Sequence, residues 1–274
     1  MQILPSEALL PFIKHYLFLE NKKSDITKLR LFSDGNTGIV FSFKKQLIAS
    51  FKKFAVPDCL PDTFLYGQIN KFNDIYSPGE INLLIAVFHP AGMNELLGIP
   101  AEKLRNKIIR IEEIFGSKGT ELQEKLIEQP GIQDKIGLLN NFFLQLVAKN
   151  TIKNQLIVTA ALDFIVKNKG QVSLDRLVKF TGYSERQIER KFLECIGLNP
   201  KKFADIVKLH VFLKQLKDKT AHINLTDVAY DAGYFDQSHS IKVFRKNTGF
   251  TPQEYLHNTE TLSNNFVIIR PFPQ

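Results

Sequence analysis

The chain has 274 residues, a formal net charge of +8 and a sequence pI of about 9.3. That length suits two domains, and 44% hydrophobic residues argue against a disordered chain. Two cysteines exclude a disulfide framework or a cysteine-rich metal site.

The first 150 residues read as strands and then helices. Tyr16 to Leu19, Leu29 to Phe32, Gly38 to Phe43, Thr63 to Ile69 and Ile81 to Phe88 are rich in Phe, Ile, Val and Leu, with a turn at Asp34-Gly35. After His89-Pro90-Ala91-Gly92 the pattern becomes helical. It predicts helices over Met93 to Leu97, Glu121 to Glu128 and Ile132 to Lys149. Strands followed by helices is an α+β order. Phe142, Phe143 and Leu146 form an apolar face on the last of these helices, expected to be covered partly by the sheet and partly by a second copy of the chain. The longest apolar run, Leu83 to Phe88, is too short to span a bilayer. The amino-terminal stretch, with Glu7 and Lys14, does not read as a signal peptide. A cytoplasmic protein with no membrane partner is the expectation.

The polar stretch from Asn150 to Asn154 reads as a boundary, and beyond it the sequence repeats. Gly182-Tyr183 recurs 51 residues later as Gly233-Tyr234. Phe192, Gly197, Pro200 and Phe203 recur 52 residues later as Phe244, Gly249, Pro252 and Tyr255. One residue has been added in the second copy, between the turn and the phenylalanine. Each copy reads as a short helix, a glycine turn and a longer helix, which is a helix-turn-helix. Ser173 and Ser184 are predicted N-caps, Gln187 being the capping-box partner of Ser184. Thr226 and Asp236 are the corresponding caps of the second copy. Ile188, Phe192, Cys195 and Ile196 make one buried stripe. A long helix from Pro200 to Lys217 joins the units. After Tyr255, Phe266 to Pro271 reads as a short apolar strand able to dock on a sheet.

These motifs resemble the DNA-binding domain of the AraC/XylS family of transcription regulators. Gly233-Tyr234, Ser238, Phe244, Gly249, Thr251-Pro252 and Tyr255 carry the resemblance most closely. Ser240, Lys208 and Phe212 depart from the residues usual in that family. The resemblance implies an all-α C-terminal domain with two helix-turn-helix units joined by a long helix, their second helices entering successive major grooves. A helix of about 18 residues spans roughly 27 Å, compatible with sites about 34 Å apart. It also implies a β-rich sensory domain ahead of the DNA-binding domain. The expected divisions are 1–150 for a sensory or dimerisation domain, 151–258 for the DNA-binding domain and 259–274 for a tail.

The charge is distributed as this reading requires. Residues 1–150 carry 18 Lys and Arg against 16 Asp and Glu, and the remainder 18 against 12, so the positive excess lies with the repeats. In the first unit Arg186, Glu189 and Arg190 fall opposite the buried stripe, with side chains suited to base edges. In the second, Gln237, Ser238, His239 and Lys242 occupy the equivalent positions. Ile241 fits either a thymine methyl or the core. Lys191, Arg245 and Lys246 suit phosphate contacts.

The first half contains His15 and His89, distant in sequence and without a His-x-His pair, and Tyr66 and Tyr76 as potential pocket residues. The expectation is a non-enzymatic regulator without metal or cofactor, binding double-stranded DNA. RNA polymerase, a small-molecule effector and a homodimer partner are further candidates. Two alternatives are an N-terminal domain that binds metal or is enzymatic, with a DNA-binding appendage, and an N-terminal domain used only for dimerisation.

Overall fold

The computed structural model describes residues 1–22, 24–44, 46–49, 58–149, 156–218 and 225–270. The boundary expected at Asn150 to Asn154 lies outside them, as does Pro271 at the end of the expected terminal strand. The first half contributes strands β1 (Gln2–Ile3), β2 (Ile13–Asn21), β3 (Thr27–Leu31), β4 (Thr37–Ser42), β5 (Ile48–Ala49), β6 (Asp58–Cys59), β7 (Thr63–Tyr66), β8 (Asn73–Ser77), β9 (Ile81–Phe88) and β10 (Ile108–Arg110). Its helices are α1 (Gly92–Leu97), α2 (Ala101–Leu104), α3 (Ile111–Phe115), α4 (Ser117–Glu128) and α5 (Ile132–Lys149). The second half is helical: α6 (Leu156–Lys167), α7 (Leu174–Thr181), α8 (Glu185–Ile196), α9 (Pro200–Asp218), α10 (Leu225–Asp231), α11 (Gln237–Thr248) and α12 (Pro252–Asn258). A closing hairpin, β11 (Thr259–Ser263) and β12 (Phe266–Ile269), ends the described chain.

The strands form two antiparallel sheets, ordered β1-β2-β9-β4-β7-β10 and β11-β12-β3-β8-β5-β6. The first sheet is covered on both faces, which explains why β4 and β9 read as continuous apolar runs. Phe41, Leu84, Ala86 and Phe88 pack under α1, α4 and α5. Their neighbours Val40, Leu83, Ile85 and Val87 face the second sheet, as strand alternation requires. Phe143 is fully buried, edge-on to Phe88 at 5.6 Å. Phe143 therefore belongs to the part of this face that the chain's own sheet covers. Phe142 packs edge-on against Phe115 at 5.0 Å.

The closing hairpin is part of the second sheet. Strand β12 pairs antiparallel with β3, placing Phe266 opposite Leu31 and Ile268 opposite Leu29. Alternation turns Phe266 and Ile268 into the sandwich and Val267 outward. On that outer face Val267 and Phe32 join Leu209, Phe212, Tyr234, Phe244 and Tyr255 in one core. The second helix-turn-helix is thus built on the second sheet. Phe212, the larger residue in the linker helix, fills this core against Tyr234 and Phe244, with ring centroids at 5.8 and 5.6 Å.

The first unit rests elsewhere. Its core includes Ala91, just ahead of α1. Gly197, which ends α8, lies so close to Ala101 of α2 that a Cβ there would sit 2.9 Å from the Ala101 carbonyl oxygen. Between the two units the linker helix α9 leans on the β3–β4 turn. Gly35 has φ +82°, and a Cβ on it would meet the Phe203 ring at 2.8 Å. His210 Nε2 donates to the Ser33 carbonyl oxygen at 2.9 Å, with its ring stacked near Phe32.

Burial pushes the pKa of His210 below its ordinary 6.5, and burial does the same to His15 and His89, with the Lys14 charge adding to both. These groups are neutral in the folded chain and take up protons near pH 6.5 once unfolded. Their contribution to stability is therefore complete above about pH 6.5 and is lost as pH falls towards the depressed native values. Thermal unfolding midpoints should drop between pH 7.5 and 5.5, and by less in His210→Gln. A midpoint that is flat over this range would contradict the assignment.

Candidate nucleic-acid interface

Both helix-turn-helix units are set by local signals. In the first, the Ser173 hydroxyl accepts from the Arg176 amide at 3.3 Å and starts α7, which Gly182 ends at φ +73°. Ser184 and Gln187 form the capping box at the start of α8, and Gly197 ends it at φ +79°. In the second unit Gly233 turns the chain at φ +82°, and the Asp236 carboxylate accepts from the His239 amide at 2.6 Å to start α11. Thr226 is not the cap expected of it, because α10 already begins at Leu225. Its hydroxyl instead donates to Gln237 Oε1 at 3.1 Å, linking the two helices of the unit. The stripe Ile188, Phe192, Cys195 and Ile196 is fully buried.

Opposite these cores the two longer helices present polar faces. Arg186 and Arg190 are exposed on α8, and Glu189 is half-buried. Gln237, Ser238, His239 and Lys242 are exposed on α11, Ile241 is half-buried, and Arg245 and Lys246 are exposed near its C-terminal end. The His239 ring stands edge-on to Tyr234 at 5.8 Å, which fixes its direction. Lys191 is tied to Glu194 at 2.9 Å in the free protein, so a phosphate would have to compete with that carboxylate. Ser240 is buried where a large apolar residue is usual, and its hydroxyl donates to the Gln237 carbonyl oxygen at 2.7 Å. Phe235 has no place among the expected site residues, yet it is 84% exposed beside this face. The one-residue insertion in the repeat was the signal pointing to it.

A second feature lies between the sheets. A cavity of about 100 Å³ is lined by Leu17, Val40, Phe64, Ile85 and other apolar side chains, with Lys14, His15, Asp34 and Lys107 also in its wall. Tyr66 lines it, and burial raises its pKa well above the ordinary value. Tyr76 is not among the lining residues. Ser263 to Phe266, from the closing hairpin, complete the wall. His15 and His89, distant in sequence, are near enough for the His89 charge to affect His15, because β2 pairs with β9. Among the described residues no group of three or more His, Cys, Asp or Glu is placed to hold a metal ion, and no helix is long and apolar enough to cross a membrane.

Residues 177–258 match a family described as a helix-turn-helix domain. The chain carries an AraC-type helix-turn-helix DNA-binding domain. It is a DNA-binding transcription regulator. Residues 1–110 match a family described only as a domain of unknown function (DUF6597), and no curated protein matches the chain. Among solved structures, ToxT from Vibrio cholerae O395 is similar at 15% identity, over 90% of this chain and 97% of ToxT, with a TM-score of 0.49. A transcriptional regulator with an AraC-type DNA-binding domain from Chromobacterium violaceum is similar at 24% identity, over 36% of this chain and 88% of that one, with a TM-score of 0.34.

The exposed faces generate a contrast between two side chains. Arg190→Ala is expected to cost about 1–3 kcal/mol of binding and to relax preference at one base pair. Lys246→Ala should weaken all sequences alike and lower the salt slope by about one unit. Titrations of both variants against single-base variants of a selected duplex will check this. Equal losses on every duplex for Arg190→Ala would make it a phosphate contact.

Proposed function

We propose that this regulator reads two neighbouring stretches of one DNA duplex with α8 and α11, and that a small molecule between its sheets sets how the two helices are held. The observation that carries the reading is the separate seating of the two units. The first unit touches α1 and α2, which lie between β9 and β10 of the first sheet, and the second unit is built on the outer face of the second sheet. The cavity lies between those same sheets. Anything that spreads or tightens the sandwich therefore acts on the spacing of the two units. The mainly apolar lining with a few charged groups suits a small, mainly apolar effector carrying a polar group.

The second unit is pinned by Arg30 of β3. Its guanidinium lies over the rings of Phe72 and Phe250, at 4.3 and 4.4 Å from their centroids. It donates from Nε and Nη2 to the two oxygens of Asp74 at 2.6 and 3.0 Å, and from Nη1 to the Thr248 carbonyl oxygen, in the last turn of α11, at 3.4 Å. Burial opposes ionisation of Asp74, but hydrogen bonds from Arg30 and Lys28 outweigh it and hold the carboxyl below the usual range. The pin thus joins a strand that borders the cavity to the end of a reading helix.

The test starts from duplexes selected out of a random library by the full chain, followed by a series in which the two contacted segments are moved apart or together by one or two base pairs. The wild type should prefer one spacing by roughly tenfold or more, about 1.4 kcal/mol. Arg30→Met should flatten that preference while leaving the bases preferred within each segment unchanged. Failure to select any sequence would defeat the DNA reading. An unchanged spacing profile in Arg30→Met would defeat the coupling alone.

A further inference from the structure

The two helix-turn-helix units differ at one place that the repeat itself makes visible. Both reading helices have 12 residues and both end at a left-handed glycine. The added residue of the second unit therefore lies ahead of α11, between the turn glycine and the N-cap. In the first unit Tyr183 alone separates Gly182 from the cap Ser184. In the second, both Tyr234 and Phe235 separate Gly233 from the cap Asp236. Tyr234 turns inward against Phe212 and is only 5% exposed. Phe235 turns outward, and at 84% it is the most exposed large apolar side chain among the described residues.

Single exposed apolar residues are common and by themselves mean nothing. The position of Phe235 is what singles it out. It immediately precedes the cap of α11, whose exposed first residues are Gln237, Ser238 and His239. In helix-turn-helix proteins the N-terminal end of the second helix is the part that contacts base edges. The major groove offers a phenyl ring only one apolar group, the C5-methyl of thymine. Ile241, the other apolar side chain noted on this helix, is half-buried and so less available.

We infer that Phe235 is a specificity-determining residue of the second unit, reading a thymine through its methyl group. The inference rests on the DNA-reading function proposed above. It sets the two units apart just ahead of their caps: the first has only the repeat tyrosine there, Tyr183, 39% exposed, whereas the second buries its repeat tyrosine and adds an apolar ring that is 84% exposed. The protein's operator should accordingly contain a thymine in the segment contacted by α11.

The experiment uses the full chain and the duplex it selects from a random library, with each thymine replaced in turn by deoxyuridine, which lacks only the methyl group. Wild-type affinity should fall about fourfold at one thymine, the worth of burying one methyl group. Phe235→Ala should bind the thymine duplex about as weakly as the wild type binds the uracil duplex, and should no longer distinguish the two. Phe235→Leu should retain part of the discrimination. Because the side chain is exposed, the thermal midpoint should not move, which separates lost contact from lost folding. Three results would overturn the inference: Phe235→Ala binding every duplex as tightly as wild type, Phe235→Ala losing affinity while still discriminating thymine from uracil, or wild-type affinity indifferent to every thymine replacement. Failure of the wild type to select any duplex would overturn it together with the DNA reading on which it rests.

Discussion

The pairing of β12 with β3 is the constraint on which the rest of the structure depends. It joins Phe266–Ile269 to Thr27–Leu31, so the last described strand of the chain completes a sheet begun near its start. Without it the second sheet would lose the side chains Phe266 and Ile268 from its interior. The second helix-turn-helix would lose Val267 from its core. One strand thus supplies both faces of the boundary between cavity and reading unit, through nothing more than the two-residue period of extended backbone. A tail placed after the DNA-binding repeat is thereby a structural part of the first half.

This arrangement gives the contacts around Arg30 their meaning. A guanidinium held between two aromatic rings and bound through two nitrogens to one carboxylate is oriented closely. A small displacement of β3 would therefore be passed on to the end of α11 rather than absorbed by side-chain motion. The β3–β4 turn plays the same part for the linker helix, since neither the Gly35–Phe203 approach nor the His210–Ser33 hydrogen bond leaves free space. Close-packed interiors transmit strain because they cannot be compressed cheaply. The two units are thus held at three places along the first half: beside α1 and α2, at the β3–β4 turn and on the second sheet.

What could be read from the sequence was what is determined locally. The glycine turns at Gly182 and Gly233, the caps Ser173, Ser184 and Asp236, and the stripe of α8 all depend on residues within a few positions of each other. The structure shows each of them. The strands β2, β4 and β9 were legible because they are apolar on both faces. Strand β8, Asn73–Ser77, was not, since its polar ends Asn73, Asp74 and Ser77 hide a single buried apolar position, Ile75. Helix α6 carried no expectation because Leu156 to Val166 is apolar nearly all round and rich in β-branched residues, which blurs the helical period. The proximity of His15 and His89, the cavity and the choice of β3 as the partner of β12 all follow from long-range register. Neither composition nor spacing encodes that register in a form that can be read from one sequence. Phe235 lies between these cases. The insertion was visible in the repeat, but only burial shows that Tyr234 fills the core and Phe235 is left outside.

The order of elements also limits how the molecule assembles. The two partners of the β3–β12 pair are separated by more than two hundred residues, and all the helices of the DNA-binding repeat lie between them. Contacts of such sequence separation close late, because the loop entropy must be met before the pairing can reward it. The first sheet with α4 and α5 draws only on residues that precede both helix-turn-helix units. The second sheet cannot be complete until the chain has passed through both helix-turn-helix units and returned. The second unit and the wall of the cavity therefore both wait on the same pairing of β12 with β3.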